Sequence, residues 1–462
     1  MSHGKLKTAL ALAVGLVGGC SLIPDYERPS APVAEEWHAP SAESGAVLPW
    51  ATFFNDPQLK ALIGEALENN RDLRVSLLNI EKARAQYRIS RADLLPSVDA
   101  TVSGNSQRTP ADLSADGRTG TSHRYDAGVG FASYEVDFFG RVRSLNEQAL
   151  ETYLQTVEAR RSAQIALVAE VANAYYQLQA DLQSLALSKQ TLESQRQSYL
   201  TTRSSYQEDV ATELDLSQAE STVRSAQASE AKYQRLVEQD RNALVLLAGK
   251  PLAPGQMAGS TPEAMVLGAS LPAGLPSQVL AQRPDILAAE HALKAANANV
   301  GAARAAFFPS ISLTASAGSA SRQLGDLFSG GQGAWSFVPS INVPIFNWGR
   351  NQANLDVAKV QTSIEVANYQ KAIQVAFQEV ADGLVARREL DNQVTAQTLL
   401  MQANARSYTL AQQRYETGVD TYLNSLDAQR NLFASQQELV STQLARSQNL
   451  IALYKALGGG SQ

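Results

Sequence analysis

The chain has 462 residues, of which 18% are charged, and its net charge at pH 7 is −6. This length suits two or three ordinary domains or one elongated domain. The negative balance argues against nucleic acid as a partner, because a protein that binds phosphates needs a basic face. After the start of the chain there is no run of about 20 apolar residues, so the sequence predicts no membrane-spanning helix.

The N-terminus has the pattern of a bacterial lipoprotein signal. Lys5 and Lys7 precede an apolar stretch at 8–17, and small residues then lead to Cys20, the only cysteine. This predicts a signal peptide over residues 1–19 and a mature chain that begins with the lipidated cysteine. An ordinary thiol behind a cleaved signal is the alternative. The serine that follows the cysteine is typical of an outer-membrane destination, and cleavage leaves 37 basic against 45 acidic residues, a net charge of −8.

The rest of the chain is an internal tandem repeat. LLPSVDATVSG at 94–104 matches FFPSISLTASAG at 307–318, and FFGR at 138–141 matches NWGR at 347–350. A segment rich in Pro and Gly separates the two copies and predicts irregular structure. The predicted organisation is a lipidated extended segment at 20–56, a first copy at 57–249, a linker at 250–276, a second copy at 277–458 and a tail at 459–462.

Each copy is predicted to contain a helix, a β-hairpin, a long helix, a turn and a further helix. In the first copy the long helix covers Arg141–Gln207, about 100 Å at 1.5 Å per residue. The shorter helices, Val210–Ala248 and a continuous Pro57–Leu94, are each about 57 Å long, so two of them stacked end to end would match the long one. Asp209 and its counterpart Gly418 mark the turns.

The hairpins are predicted at about 95–137 and 309–346. In the first, Val98, Ala100 and Val102 alternate with polar residues, and each strand is long enough to cross a bilayer when tilted. Alternation of this kind is typical of outer-membrane β-barrels, although a soluble sandwich with one solvated face has the same pattern.

One chain supplies only four strands, and an open sheet edge is not tolerated in lipid. Several copies must therefore close one barrel. Three copies would give twelve strands, continuing into an α-helical barrel, whereas two copies would give a smaller eight-stranded barrel. The predicted fold class is thus an α+β membrane protein that forms a homotrimer.

No motif for catalysis or for a metal occurs in the sequence. The four histidines are not spaced as ligands with one another or with the cysteine, and neither a P-loop nor a G-x-S-x-G motif is present. We therefore expect no enzyme activity and no cofactor other than the covalent N-acyl and S-diacylglycerol lipid on Cys20.

Three segments together resemble a known family: LPAGLPSQVLAQRPDI at 271–286, AAEHALKAANANVGAARAAFFPSISL at 288–313 and RYETGVDTYLNSLDAQRNLF at 414–433. They are similar to outer-membrane factors of the TolC/OprM type, in the lipidated branch that serves drug efflux pumps. The resemblance implies a trimeric channel-tunnel that spans the outer membrane and extends into the periplasm. It also implies docking with a periplasmic adaptor (membrane fusion protein) and an inner-membrane pump, often of the resistance-nodulation-division type.

The resemblance places a closing iris near the helical turns at the periplasmic mouth. The gate residues it implies are Asp215, Tyr415, Asp420 and Asp427. Threefold symmetry would multiply each acid into a ring, which predicts a constricted gate that attracts cations. The alternative is that these acids cap helix starts, where a negative charge stabilises the helix.

Two other functions remain open from the sequence. A duct for type I protein secretion would have the same architecture. A structural periplasmic coiled-coil lipoprotein is a further alternative, although such a spacer has no need of four amphipathic strands.

Overall fold

A computed structural model describes residues 21–34, 49–115, 117–253, 255 and 282–459. The predicted signal peptide and Cys20 lie outside the described residues, as does most of the predicted linker. The following elements occur in chain order: α1 (Trp50–Phe53), α2 (Pro57–Asn69), α3 (Arg71–Ala92), β1 (Asp99–Thr109), β2 (Gly120–Glu135), α4 (Arg141–Gln207), α5 (Glu213–Ala248), α6 (Pro284–Ala305), β3 (Ser310–Ser321), β4 (Gly333–Asn342), α7 (Arg350–Glu416) and α8 (Tyr422–Ala456).

Four antiparallel strands form one sheet in the order β1-β2-β3-β4. Val102 of β1 faces Ala127 of β2, and Thr314 of β3 faces Val338 of β4. A bulge interrupts β2, where Ser133 has a φ of 54° and its amide donates to Oγ1 of Thr314 at 3.0 Å. Both β1 and β4 are edge strands within the described chain.

The long helices have the lengths expected of sequences without proline. Both α4 and α7 contain 67 residues, whereas α5 contains 36 and α8 contains 35. Among the described residues, no helix is both long enough and apolar enough to cross a membrane.

The prediction of one continuous helix over 57–94 is wrong. The chain leaves the helical conformation at Asn70, which has a ψ of 133° and separates α2 from α3. Its side chain explains the break. The Asn70 Oδ1 atom accepts from the Leu73 amide at 3.0 Å and so caps α3, while its Nδ2 donates to the Leu247 carbonyl at 2.8 Å.

Two other boundaries also differ from the predictions. The alternation of apolar residues continues to 346, but β4 ends at Asn342, because Pro344 has no amide proton for a strand ladder. The segment predicted to be extended up to residue 56 contains the short helix α1, which buries Phe53 completely.

The chain divides into two compact units, each with residues from both predicted copies. Of the described residues, those within 1–30, 79–157 and 288–370 form the sheet unit, and those within 31–78, 158–287 and 371–462 form the helical unit.

Aromatic side chains from the first and last helices of the helical unit form a core. The rings of Phe53 and Tyr454 stack at 4.3 Å, and Tyr175 donates to Asp56 at 2.6 Å. Asp56 also caps α2 through the Gln58 amide. This core therefore joins the N-terminal helices of the unit to the last helix of the chain.

Candidate functional site

Two left-handed turns in the helical unit carry the predicted site. Asp209 has a φ of 56° and Gly418 a φ of 73°, and each follows a 67-residue helix. The Val210 amide donates to the Ser205 carbonyl at 2.8 Å, and the Val419 amide makes the equivalent bond one copy later. Each turn is thus a Schellman motif, in which glycine avoids the strain of a side chain and aspartate tolerates it.

A small aromatic cluster connects these turns. The rings of Tyr415 and Tyr422 lie 5.6 Å apart, and Tyr422 packs with Ala219 and Leu426 in a buried group that Tyr199 also contacts. Burial raises the pKa of Tyr422. The predicted gate tyrosine Tyr415 thus packs against α8. Tyr422 is a second tyrosine of this aromatic cluster, which the sequence analysis did not identify.

Asp215 caps helix α5. Its Oδ2 accepts from the amide and the hydroxyl of Thr212 at 3.0 and 2.7 Å, and its own amide donates to the Thr212 hydroxyl at 3.2 Å. These two residues form a capping box, and the bonds from Thr212 lower the pKa of Asp215. The spacing of a threonine three residues before an acid was the signal for this role.

Asp420 closes the second turn. It accepts from the Thr421 amide at 2.9 Å, from the Asn424 side chain, and from Arg414 Nε at 3.2 Å. The Thr421 amide contributes most to a lowered pKa of Asp420, followed by Asn424 and Arg414. This carboxylate therefore has three partners in its own chain.

Asp427 differs from Asp215 and Asp420, because within the described chain its carboxylate has only a long ion pair. Its side chain is 58% exposed, and the closest cation is Arg430 at 3.8 Å, one turn along α8. Within the described part of the chain, no hydrogen bond or ion pair joins Asp215, Asp420 and Asp427 to one another.

A polar network further along the helices also links α4, α5 and α8. Buried Gln195 donates to Gln429 at 2.7 Å and accepts from Thr222 at 2.7 Å, and Gln429 in turn donates to Ser194 at 2.9 Å. No local pattern predicts it, because its members are distant in the sequence and meet only in the folded unit.

In the described ranges, no group of three or more His, Cys, Asp or Glu side chains could hold a metal ion. The turns place carboxylates and aromatic rings at the ends of the long helices.

An antiparallel four-stranded sheet, two 67-residue helices and a left-handed turn after each of them agree with the class of outer-membrane channels. The sequence profile of the family described as outer membrane efflux protein matches residues 62–250 and 275–459. The chain belongs to this family, and it is located in the outer membrane.

The sequences of individual relatives align with nearly the whole chain. It is 54% identical to the antibiotic efflux pump outer membrane protein ArpC of Pseudomonas putida and 53% identical to the toluene efflux pump outer membrane protein TtgC of the same species. Both alignments cover 98% of this chain and 96% of the relative. The crystal structure of the open state of the Neisseria gonorrhoeae MtrE outer membrane channel is 42% identical, with a TM-score of 0.87, over 96% of this chain and 99% of that one.

Proposed function

We propose that the chain is one subunit of a trimeric outer-membrane duct, the passive exit of a tripartite efflux pump. Small toxic molecules pass through it from the periplasm to the exterior. The duct catalyses no reaction, and the work of export is done by a partner in the inner membrane.

The observation that carries this proposal is the open sheet. Four strands of 10 to 16 residues are each long enough to cross a bilayer, yet β1 and β4 have unpaired edges in the described chain. Exposed Val102, Trp335 and Ile341 on these edge strands suit contact with lipid or with a neighbouring copy. Pairing β4 of each copy with β1 of the next closes a twelve-stranded barrel from three chains.

Membership of an efflux family supports small molecules as the proposed substrates. The antibiotics and toluene in the names of the relatives suggest antibiotics and organic solvents for this chain as well. The type I secretion duct remains the alternative, but no observation on this chain favours it.

The turn region is the proposed periplasmic gate, and its acids contribute in different ways. Asp427 supplies the negative charge of the opening, because its carboxylate is exposed and only loosely paired. Asp215 and Asp420 shape the turns, because their oxygens are occupied by intrachain bonds. Tyr415 closes the opening by holding α8 in place through Tyr422.

The proposed partners are a periplasmic adaptor, an inner-membrane pump of the resistance-nodulation-division type and the lipid of the outer membrane. Lipidation of Cys20 would anchor the mature N-terminus. The absence of a nucleotide-binding motif in the sequence agrees with a duct that takes its energy from a pump.

Susceptibility tests the function directly. Deletion of the gene should lower the concentrations of antibiotics, dyes and solvents that stop growth, and a plasmid copy should restore them. Unchanged susceptibility to all three classes, together with loss of an exported protein from the medium, would instead support the secretion alternative.

Single-channel recording in planar bilayers tests the gate. Asp427→Asn should weaken the preference for cations, because it removes charge but keeps the shape of the side chain. The double variant Arg414→Gln, Asp420→Asn is the matched control, since it removes an ion pair without changing the net charge, and it should leave the preference close to that of the parent. Equal effects of this control and of Asp427→Asn would refute the assignment.

A further inference from the structure

A stripe of polar or small residues runs along one face of α6. Its members follow the spacing i, i+4, i+7, i+11 and i+14, so all five lie on one side of the helix. They are Glu290, Lys294, Asn297, Gly301 and Arg304. Every member of this stripe contacts the N-terminal segment or supports a residue that does.

The N-terminal segment at 22–28, which we call the strap, lies antiparallel to α6 within the sheet unit. The Leu22 carbonyl accepts from Arg304 at 3.2 Å, and the Pro24 carbonyl accepts from Asn297 at 2.8 Å. The six steps of the strap span about 20 Å when fully extended. The fourteen steps of α6 from residue 290 to residue 304 rise about 21 Å. The maximum span of the strap is therefore similar to the length of the stripe.

The C-terminal end of the strap is bound by a buried carboxylate. Glu290 is 3% exposed and accepts from Arg28 Nη2 at 2.7 Å and from the Tyr26 hydroxyl at 3.2 Å. Lys294 approaches the same carboxylate at 3.2 Å and lies 5.2 Å from the centre of the Tyr26 ring. Burial opposes ionisation, but the bonds from Arg28 and Lys294 lower the pKa of Glu290 overall. Without the strap, this carboxylate would keep Lys294 as its only partner among these groups.

The middle of the strap depends on a glycine. A Cβ atom at Gly301 would lie 2.6 Å from Cγ1 and 2.9 Å from the amide nitrogen of Ile23, and 2.7 Å from Ser144 Oγ. Glycine is unfavourable inside a helix compared with alanine. Its presence in the stripe is explained by the close approach of the strap and of Ser144 in α4.

We propose that the strap is a spacer that sets the height of the membrane anchor. The stripe on α6 holds residues 22–28 in one register, so that acyl chains on Cys20 enter the bilayer at the level where β3 begins. The strap starts beside Arg304, in the last turn of α6, and β3 begins six residues later at Ser310. This inference rests on the proposed function, which supplies the lipid and the outer membrane.

A spin label tests the strap in the full-length protein in lipid nanodiscs. Asp25→Cys places the label on an exposed strap residue, and acylated Cys20 would not react with it. We expect an immobile label whose accessibility to oxygen and to a water-soluble nickel chelate defines a single depth. Gly301→Ala in this background should expel the strap and produce a mobile label with loss of the defined depth. Glu290→Gln should give a partial form of the same change, because it weakens the lock without adding volume.

Gly64→Ala is the matched control, because Gly64 is also helical but a Cβ atom there would have no neighbour within 4 Å. It should leave the label immobile. A label that is mobile in the parent, or equally immobile after Gly301→Ala, would overturn the strap inference even when the intact mass shows an acylated Cys20. An intact mass without acyl chains would refute the lipid anchor of the proposed function, and with it the role of the strap in setting anchor height.

Discussion

Arg283→Met should destabilise the C-terminal end of α8. Arg283 is 6% exposed and makes a two-point bond to Asp285, with distances of 3.0 and 2.7 Å. It also donates to Glu379 at 2.9 Å and to the Ala456 carbonyl at 2.7 Å. One guanidinium thus connects α6, α7 and the last turn of α8, and methionine keeps most of its volume while removing every donor.

The expected loss of stabilising free energy depends on how deeply each partner of Arg283 is buried. Hydrogen bonds to charged groups contribute about 1.5–3 kcal/mol each, which would give a large sum for four bonds. However, the side chains of Asp285 and Glu379 are 40% and 43% exposed, so water can replace much of what they lose. The buried Ala456 carbonyl has no such substitute and costs about 1–3 kcal/mol when it is left unpaired. We therefore expect a total of about 3 kcal/mol, near the lower end of the range for breaking a buried ion pair.

Hydrogen exchange of the amides at the end of α8 measures this loss as a free energy of local opening. Glu379→Gln is the matched control and should cost about 1 kcal/mol or less, because that pair is partly exposed. A loss below about 1 kcal/mol for Arg283→Met, or one equal to that of the control, would contradict the view that a buried carbonyl depends on this arginine.

Three further substitutions test local features of the helical unit. Burial and the nearby Asp181 raise the pKa of Asp240 to about 7; the folded state therefore retains a proton that the unfolded state releases near pH 4, and stability should fall as the pH rises from about 4 to 7. Asp240→Asn should remove this slope in thermal unfolding scans, and an unchanged slope would exclude Asp240 as its source. Thr212→Ala should cost about 1 kcal/mol in hydrogen exchange at the first turn of α5, since it removes a capping box, and no change there would show that the cap is not needed. Asp209→Gly should stabilise its turn by up to about 1 kcal/mol, because it relieves a left-handed φ, and faster exchange of the Val210 amide would contradict this.

Local sequence patterns predicted the long helices well. The stretch from Arg141 to Gln207 has neither proline nor glycine, and it forms one helix with those bounds. The positions of both turns could also be predicted from the sequence, because aspartate and glycine tolerate the left-handed conformation that Asp209 and Gly418 adopt. In each case the information lies within a few residues of the feature, so no tertiary structure was needed.

Features that depend on distant partners could not be predicted. The break at Asn70 uses the Leu247 carbonyl, which is remote in the sequence, and a helix-period pattern continues through it. Similarly, nothing near Glu290 indicates that Arg28 neutralises it. The three acids and the one tyrosine of the predicted gate were chosen by resemblance, and only the folded chain distinguishes the paired carboxylate of Asp420 from the exposed one of Asp427.

The central claim is that several copies close one barrel by pairing the edges of their sheets. Native mass spectrometry of the detergent-extracted protein tests it most directly, because the number of chains follows from the mass of the complex. The account predicts three chains in each particle, which corresponds to twelve strands from a four-stranded sheet. A stable particle with one or two chains would contradict it.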